Sequence, residues 1–184
     1  MKPLHVMFVT GEYPPMPGGV GAYTQELAKA LVAYDVQVSV LTAAAAAQVN
    51  EDENTGVRVL PAVRKWDWGI WQVAAQLAAE THADWLHVQY QTAAYAMHPA
   101  INLAPESWHK RGIHVAWTYH DVLLPYLFPK AGQRLRTWIT QRPAFKADQV
   151  VVTNEGDRNS LAAAGVNPTV IPIGSNIRRV QLTP

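Results

Sequence analysis

Thr10-Gly11-Glu12-Tyr13-Pro14-Pro15-Met16-Pro17-Gly18-Gly19-Val20-Gly21 lies between an apolar run, residues 4–9, and a helix-like segment, residues 22–34. The run reads as a strand. The segment sets Leu27, Ala30, Leu31 and Tyr34 on one stripe at helical spacing. Strand, long loop and helix in that order open a βαβ unit, and open α/β sheets bind ligands at the carboxyl ends of their strands. The helix N-terminus there offers unpaired N–H groups and the positive end of a dipole. Glycines permit close backbone approach, and Pro14, Pro15 and Pro17 stop either element from running into the loop. Two familiar phosphate loops do not fit. Gly19-Val20-Gly21-Ala22-Tyr23-Thr24 lacks the third glycine of a dinucleotide fingerprint, no acidic residue follows the second strand, and the Gly-Lys-Ser/Thr of a P-loop is missing.

Outward from this loop, short apolar runs continue at residues 36–41, 57–60, 85–88, 113–117, 150–152 and 169–171. Several are apolar throughout, as strands covered on both faces should be. Helical patterns fill gaps at 68–81, 135–145 and 155–164; Asn154 caps the last, with Asp157 in its first turn and Gly165 at its stop. Residues 43–55 read as a surface connection that could include a helical turn. The expected class is α/β: a Rossmann-like parallel sheet of about seven strands with helices on both faces.

The 184 residues suit one domain, and 49% hydrophobic residues suffice for a core. A formal charge of +1 gives no polyelectrolyte signature, so no nucleic-acid partner is expected. Cysteine is absent, which excludes disulfides and suits a cytoplasmic setting. No apolar run has the length of a secretory signal or a membrane span. Lys130, Arg134, Arg136, Arg142 and Lys146 form a stretch without acidic residues, and Trp66, Trp68 and Trp71 cluster upstream. Peripheral contact with anionic lipid is the less favoured reading of these features. A solvated helix face and packed tryptophans are preferred.

Four stretches in order resemble the N-terminal domains of family 4 (group 1) retaining GT-B glycosyltransferases. They are Pro14-Pro15 with Gly18-Gly19 and Leu27-Ala28-Lys29-Ala30-Leu31; Asp84-Trp85-Leu86-His87-Val88-Gln89; Thr118-Tyr119-His120-Asp121; and Ala147-Asp148-Gln149-Val150-Val151-Val152-Thr153 followed by Val170-Ile171-Pro172-Ile173-Gly174-Ser175-Asn176-Ile177. The resemblance implies an acceptor-side domain over residues 1–177, the start of an interdomain linker at 178–184, and a donor-binding domain outside this chain. It implies sugar transfer from a nucleotide-diphosphate sugar to a glycan or lipid-linked acceptor with retained anomeric configuration. No cofactor and no metal are expected, and this half alone should be inactive.

By that resemblance Gly18, Gly19, Val20 and Gly21 bring backbone N–H groups to the donor diphosphate and the acceptor, where preorganised donors stabilise the charge of a leaving nucleoside diphosphate. His120, just past a strand, is the residue expected at the reacting centre. Its imidazole can bind sugar hydroxyls or exchange protons, and the resemblance favours a contact to the donor sugar over a general base. Asp121 either orients His120 or caps the next turn. His87, Gln89 and Tyr90, also at a strand end, are candidates to line the acceptor pocket, with core packing the alternative for His87. Glu12 either binds acceptor hydroxyls or is simply exposed. Two other classes remain: a non-catalytic module binding a glycan or a phosphorylated ligand, and a nucleotide-dependent oxidoreductase, which the broken glycine fingerprint disfavours.

Overall fold

The computed structural model describes residues 2–47, 55–122 and 132–174. The expected linker at 178–184, Ser175 to Ile177, Lys130 and most of the 43–55 connection lie outside these residues. Seven strands form one parallel sheet: β1 (His5–Thr10), β2 (Gln37–Ala43), β3 (Arg58–Val63), β4 (Trp85–Tyr90), β5 (His114–Tyr119), β6 (Gln149–Val152) and β7 (Thr169–Val170). Their spatial order is β3-β2-β1-β4-β5-β6-β7. The order reverses between β1 and β4, and this is the place where α/β sheets open a crevice for ligands.

Alternation along the strands sorts side chains onto two faces. Val6, Phe8, Val38 and Val40 pack on one face, under α1 (Gly19–Val32) with its Leu27, Ala28 and Leu31. Met7, Val9, Leu86, Val88, Val115 and Trp117 face the other way, where α2 (Ile70–Thr81), α3 (Ala100–His109) and Leu161 of α5 (Glu155–Ala163) cover them. α4 (Gln133–Gln141) runs into a 3-10 turn, Arg142–Phe145, before β6. Asn154 caps α5 by accepting from the Asp157 N–H at 2.8 Å, and Gly165 takes φ +92° where that helix stops, both as expected from sequence.

Several local expectations change. α1 begins at Gly19, not at residue 22, so two of the loop glycines form its first turn. Its buried residues are Val20, Gly21, Thr24 and Ala28, whereas Tyr34 lies beyond its end and is 81% exposed. α3 was not foreseen. Pro105 within it masks the helical pattern, since proline is disfavoured inside helices, and six of its residues, including Ile101, Asn102 and Trp108, are buried. Ala44–Ala46 form the helical turn that the connection allowed for, with Ala46 buried and Ala45 and Ala47 exposed. Trp66 is buried and Trp71 donates to the Ala100 carbonyl at 2.7 Å, but Trp68 is 51% exposed. The basic stretch is partly neutralised from outside itself, because Glu106 of α3 meets Arg142 at 2.5 Å and Lys146 at 3.4 Å.

A 3-10 turn at Thr92–Tyr95 follows β4 and seals the sheet's carboxyl rim at the order reversal. The fully buried Tyr95 hydroxyl stands 2.8 Å from the Val9 carbonyl and 2.9 Å from the Gln89 carbonyl, sharing its proton between β1 and β4. Tyr95→Phe keeps the volume and leaves both oxygens without that donor. It is expected to cost about 1–3 kcal/mol in urea denaturation, and an unchanged midpoint would show that the bridge contributes nothing.

Candidate functional site

Three segments converge at the carboxyl rim, leaving β1, β4 and β5 in turn. A cavity of about 380 Å³ opens there, lined by Glu12, Gly19, Val20, Tyr23, Gln91, His120, Asp121 and Ile173. A groove of about 970 Å³ sits at the opposite, amino-terminal rim between Lys2, α2 and Arg111. Four alanines are among its lining residues, and it lies away from the strand ends where this topology concentrates chemistry. The smaller cavity is therefore the candidate site.

The loop after β1 closes on itself. Thr10 Oγ1 donates to the Glu12 carbonyl at 2.8 Å, and Glu12 Oε1 accepts from the N–H groups of Val20 at 3.1 Å and Gly21 at 3.4 Å. Glu12 is therefore not an idle surface residue: one of its carboxylate oxygens caps the first-turn amides of α1. Its carboxylate sits on the positive end of α1, a favourable place for negative charge. Gly18 makes room for it, since a Cβ there would fall 2.1 Å from the Glu12 carboxyl carbon. Gly19 is exposed with nothing near its Cβ position, and Gly21 approaches the Glu12 backbone closely. Of the four expected amide donors, Val20 and Gly21 thus already have an anionic partner.

His120 lies where the sequence placed it, one residue past β5, with its N–H donating to the Tyr90 carbonyl at 2.9 Å. Its Nε2 is 2.9 Å from Gln89 Oε1, and the Tyr23 ring meets it edge-on at 4.9 Å. Burial pushes its pKa down to about 4, so the ring is neutral near pH 7. His87 forms a parallel arrangement one step deeper. Its Nε2 is 2.8 Å from Thr118 Oγ1, its ring packs on Phe8 at 5.1 Å, and burial, helped by the charge His120 can carry, lowers its pKa to about 4.

Register explains both pairs. Gln89 is aligned with Thr118 and His87 with Ala116, so each bond runs diagonally to the residue two further along β5. His87, Gln89, Thr118 and His120 accordingly share the face under α1. Gln89 has no exposed surface, so its part in an acceptor pocket is replaced by a contact to His120. Tyr90, on the opposite face, is fully buried with its hydroxyl 3.0 Å from Thr92 Oγ1; it is a core residue and not a pocket wall. Asp121 does line the cavity. Tyr23 and Gln91 were not anticipated, although Tyr23 stands four residues after Gly19 and so on the same side of α1. Among the described residues no group of three or more His, Asp or Glu side chains could hold a metal ion, and no helix is long and apolar enough to cross a membrane.

Residues 17–179, spanning the glycine loop, both histidines and the last strand, match the model of Glycosyltransferase Family 4. The chain belongs to that family. No match is found among curated proteins. Among solved structures, this family 4 domain is similar to sucrose-phosphate synthase from Thermosynechococcus elongatus, with 17% identity and a TM-score of 0.64, covering 94% of this chain and 49% of that one. It is also similar to MurG from Acinetobacter baumannii, with 14% identity and a TM-score of 0.62, covering 95% of this chain and 47% of that one. The chain thus spans about half the length of these structures. Its seven-stranded parallel sheet is that of GT-B glycosyltransferase N-terminal domains.

Proposed function

We propose that this domain is the acceptor-side half, residues 1–177 with a linker beginning at 178, of an enzyme that transfers a hexose from a nucleotide-diphosphate sugar to a glycan or lipid-linked acceptor. Transfer retains the anomeric configuration and uses no cofactor. The donor-binding domain lies outside the chain, so these residues alone turn over no sugar nucleotide. The absence of cysteine suits a cytoplasmic enzyme.

The observation that carries this reading is the meeting of Glu12, the first turn of α1 and His120 around one cavity at the order reversal of a family 4 sheet. Sugar rings present hydroxyls and apolar C–H faces. Carboxylates and a neutral imidazole accept from the former, and the Tyr23 ring can pack against the latter. His120→Ala in the full-length protein, assayed with a panel of nucleotide-diphosphate hexoses, is expected to lower turnover about 100-fold, while the lost bond to Gln89 costs about 1–3 kcal/mol of stability, too little to unfold the domain. Wild-type turnover in the variant removes His120 from the site. A product of inverted configuration, read by proton NMR, ends the retaining assignment.

A further inference from the structure

A neutral imidazole carries one proton, and its partner decides which nitrogen holds it. Beside His120 Nε2, at 2.9 Å, lies Gln89 Oε1, an atom that can only accept. The proton therefore sits on Nε2 and is spent inward. The Gln89 amide is completely buried, and its own Nε2 has no hydrogen-bond partner among the described residues. Leaving a buried amide nitrogen unpaired is costly, so the orientation calls for a compensating purpose. The groups around the ring are Glu12 from the loop after β1, Tyr23 from α1, His87 and Gln89 from β4, and Gln91 and Asp121 at the rim. Two of these, Glu12 and Asp121, are carboxylates.

We propose that Gln89 is a positioning residue that holds His120 in its Nε2–H form, leaving Nδ1 as the ring's acceptor. The inference deepens the sugar-transfer reading and rests on it for the identity of the ligand. A hydroxyl group can donate to Nδ1. A phosphate oxygen brings no proton and finds no donor on this ring. Beside the two carboxylates, His120 Nδ1 adds an acceptor to the cavity wall, which favours a ligand hydroxyl over a phosphate oxygen at this ring.

Long-range proton–nitrogen correlation spectra of the uniformly nitrogen-15-labelled 184-residue chain at pH 7 test this directly. The wild type is expected to show His120 with Nε2 protonated and Nδ1 bare. Gln89→Leu removes the acceptor, and the ring should become a mixture of both tautomers. Gln89→Glu places a carboxylate on Nε2–H, preserving the tautomer and raising the His120 titration midpoint by about 1–3 units. A wild-type ring protonated on Nδ1, or a tautomer unchanged by Gln89→Leu, overturns the proposal. Should Gln89→Leu fail to fold, the wild-type spectrum and the Gln89→Glu titration still decide it, an unmoved midpoint counting against. None of these readouts needs turnover. A domain that keeps the Nε2–H form in a parent protein that transfers no sugar upholds Gln89 and sinks the transfer reading, while the opposite pair of results does the reverse.

Discussion

Alanine at position 11 is expected to destabilise the domain by about 3 kcal/mol or more, a large fraction of what holds a domain of this size folded. A Cβ on Gly11 would lie 2.0 Å from the Ala94 carbonyl oxygen and 2.4 Å from the carbonyl carbon. Both are main-chain atoms, so no rotamer change relieves the overlap. Nor can the turn retreat freely. Tyr95, the next residue, is tied by its hydroxyl to the ends of β1 and β4, so moving Ala94 outward pulls on that bridge. Gly132→Ala is the control: it meets nothing within 4 Å and should shift the midpoint by only about 0.5 kcal/mol or less. Urea denaturation of the two variants against wild type measures the difference. A Gly11→Ala protein of normal stability would mean that the rim is far softer than its bonding indicates.

Acidification is expected to have an effect of similar size. His87 and His120 have folded-state pKa values near 4, against an ordinary value of 6.5. Above pH 6.5 both rings are neutral, folded or unfolded, and their contribution to stability is complete. As pH falls below 6.5 the unfolded chain takes up protons that the folded domain refuses, so stability drains away until about pH 4. Below that both states are protonated and the loss levels off. A shift of that size in one ring corresponds to roughly 3 kcal/mol. The two rings influence each other, so their joint loss is a property of the pair and not a sum. Denaturation midpoints at pH 7.5, 6.0 and 5.0 should fall steadily, and His87→Gln should flatten the slope. A profile without slope over that range would show that the native rings take up protons as readily as the unfolded chain does.

The strands were legible because a sheet covered on both faces must be built from nearly unbroken apolar runs, and this signal is short-range. The position of His120 followed from it, since a residue just after a strand falls on the rim. What escaped was anything set by contact across the sheet. Gln89 and Tyr90 also close a strand, yet one lies beneath His120 and the other in the opposite core. The alternation of side chains separates them, and only pairing with β5 shows that His87 and Gln89 reach Thr118 and His120. Glu12 escaped for a related reason: its bonds to Val20 and Gly21 span eight and nine residues of loop. α1 was started late because glycines discourage helix by propensity, whereas packing against the loop holds them in its first turn.

The placement of Glu12 changes what it means for a phosphate to arrive at α1. The resting domain already carries a built-in counter-anion there, so docking on those amides is a substitution of one negative group for another. The helix gains little net charge neutralisation from such a trade. A carboxylate displaced in this way would have to find water or a sugar hydroxyl elsewhere, so arrival of such a ligand and rearrangement of the loop would be a single event.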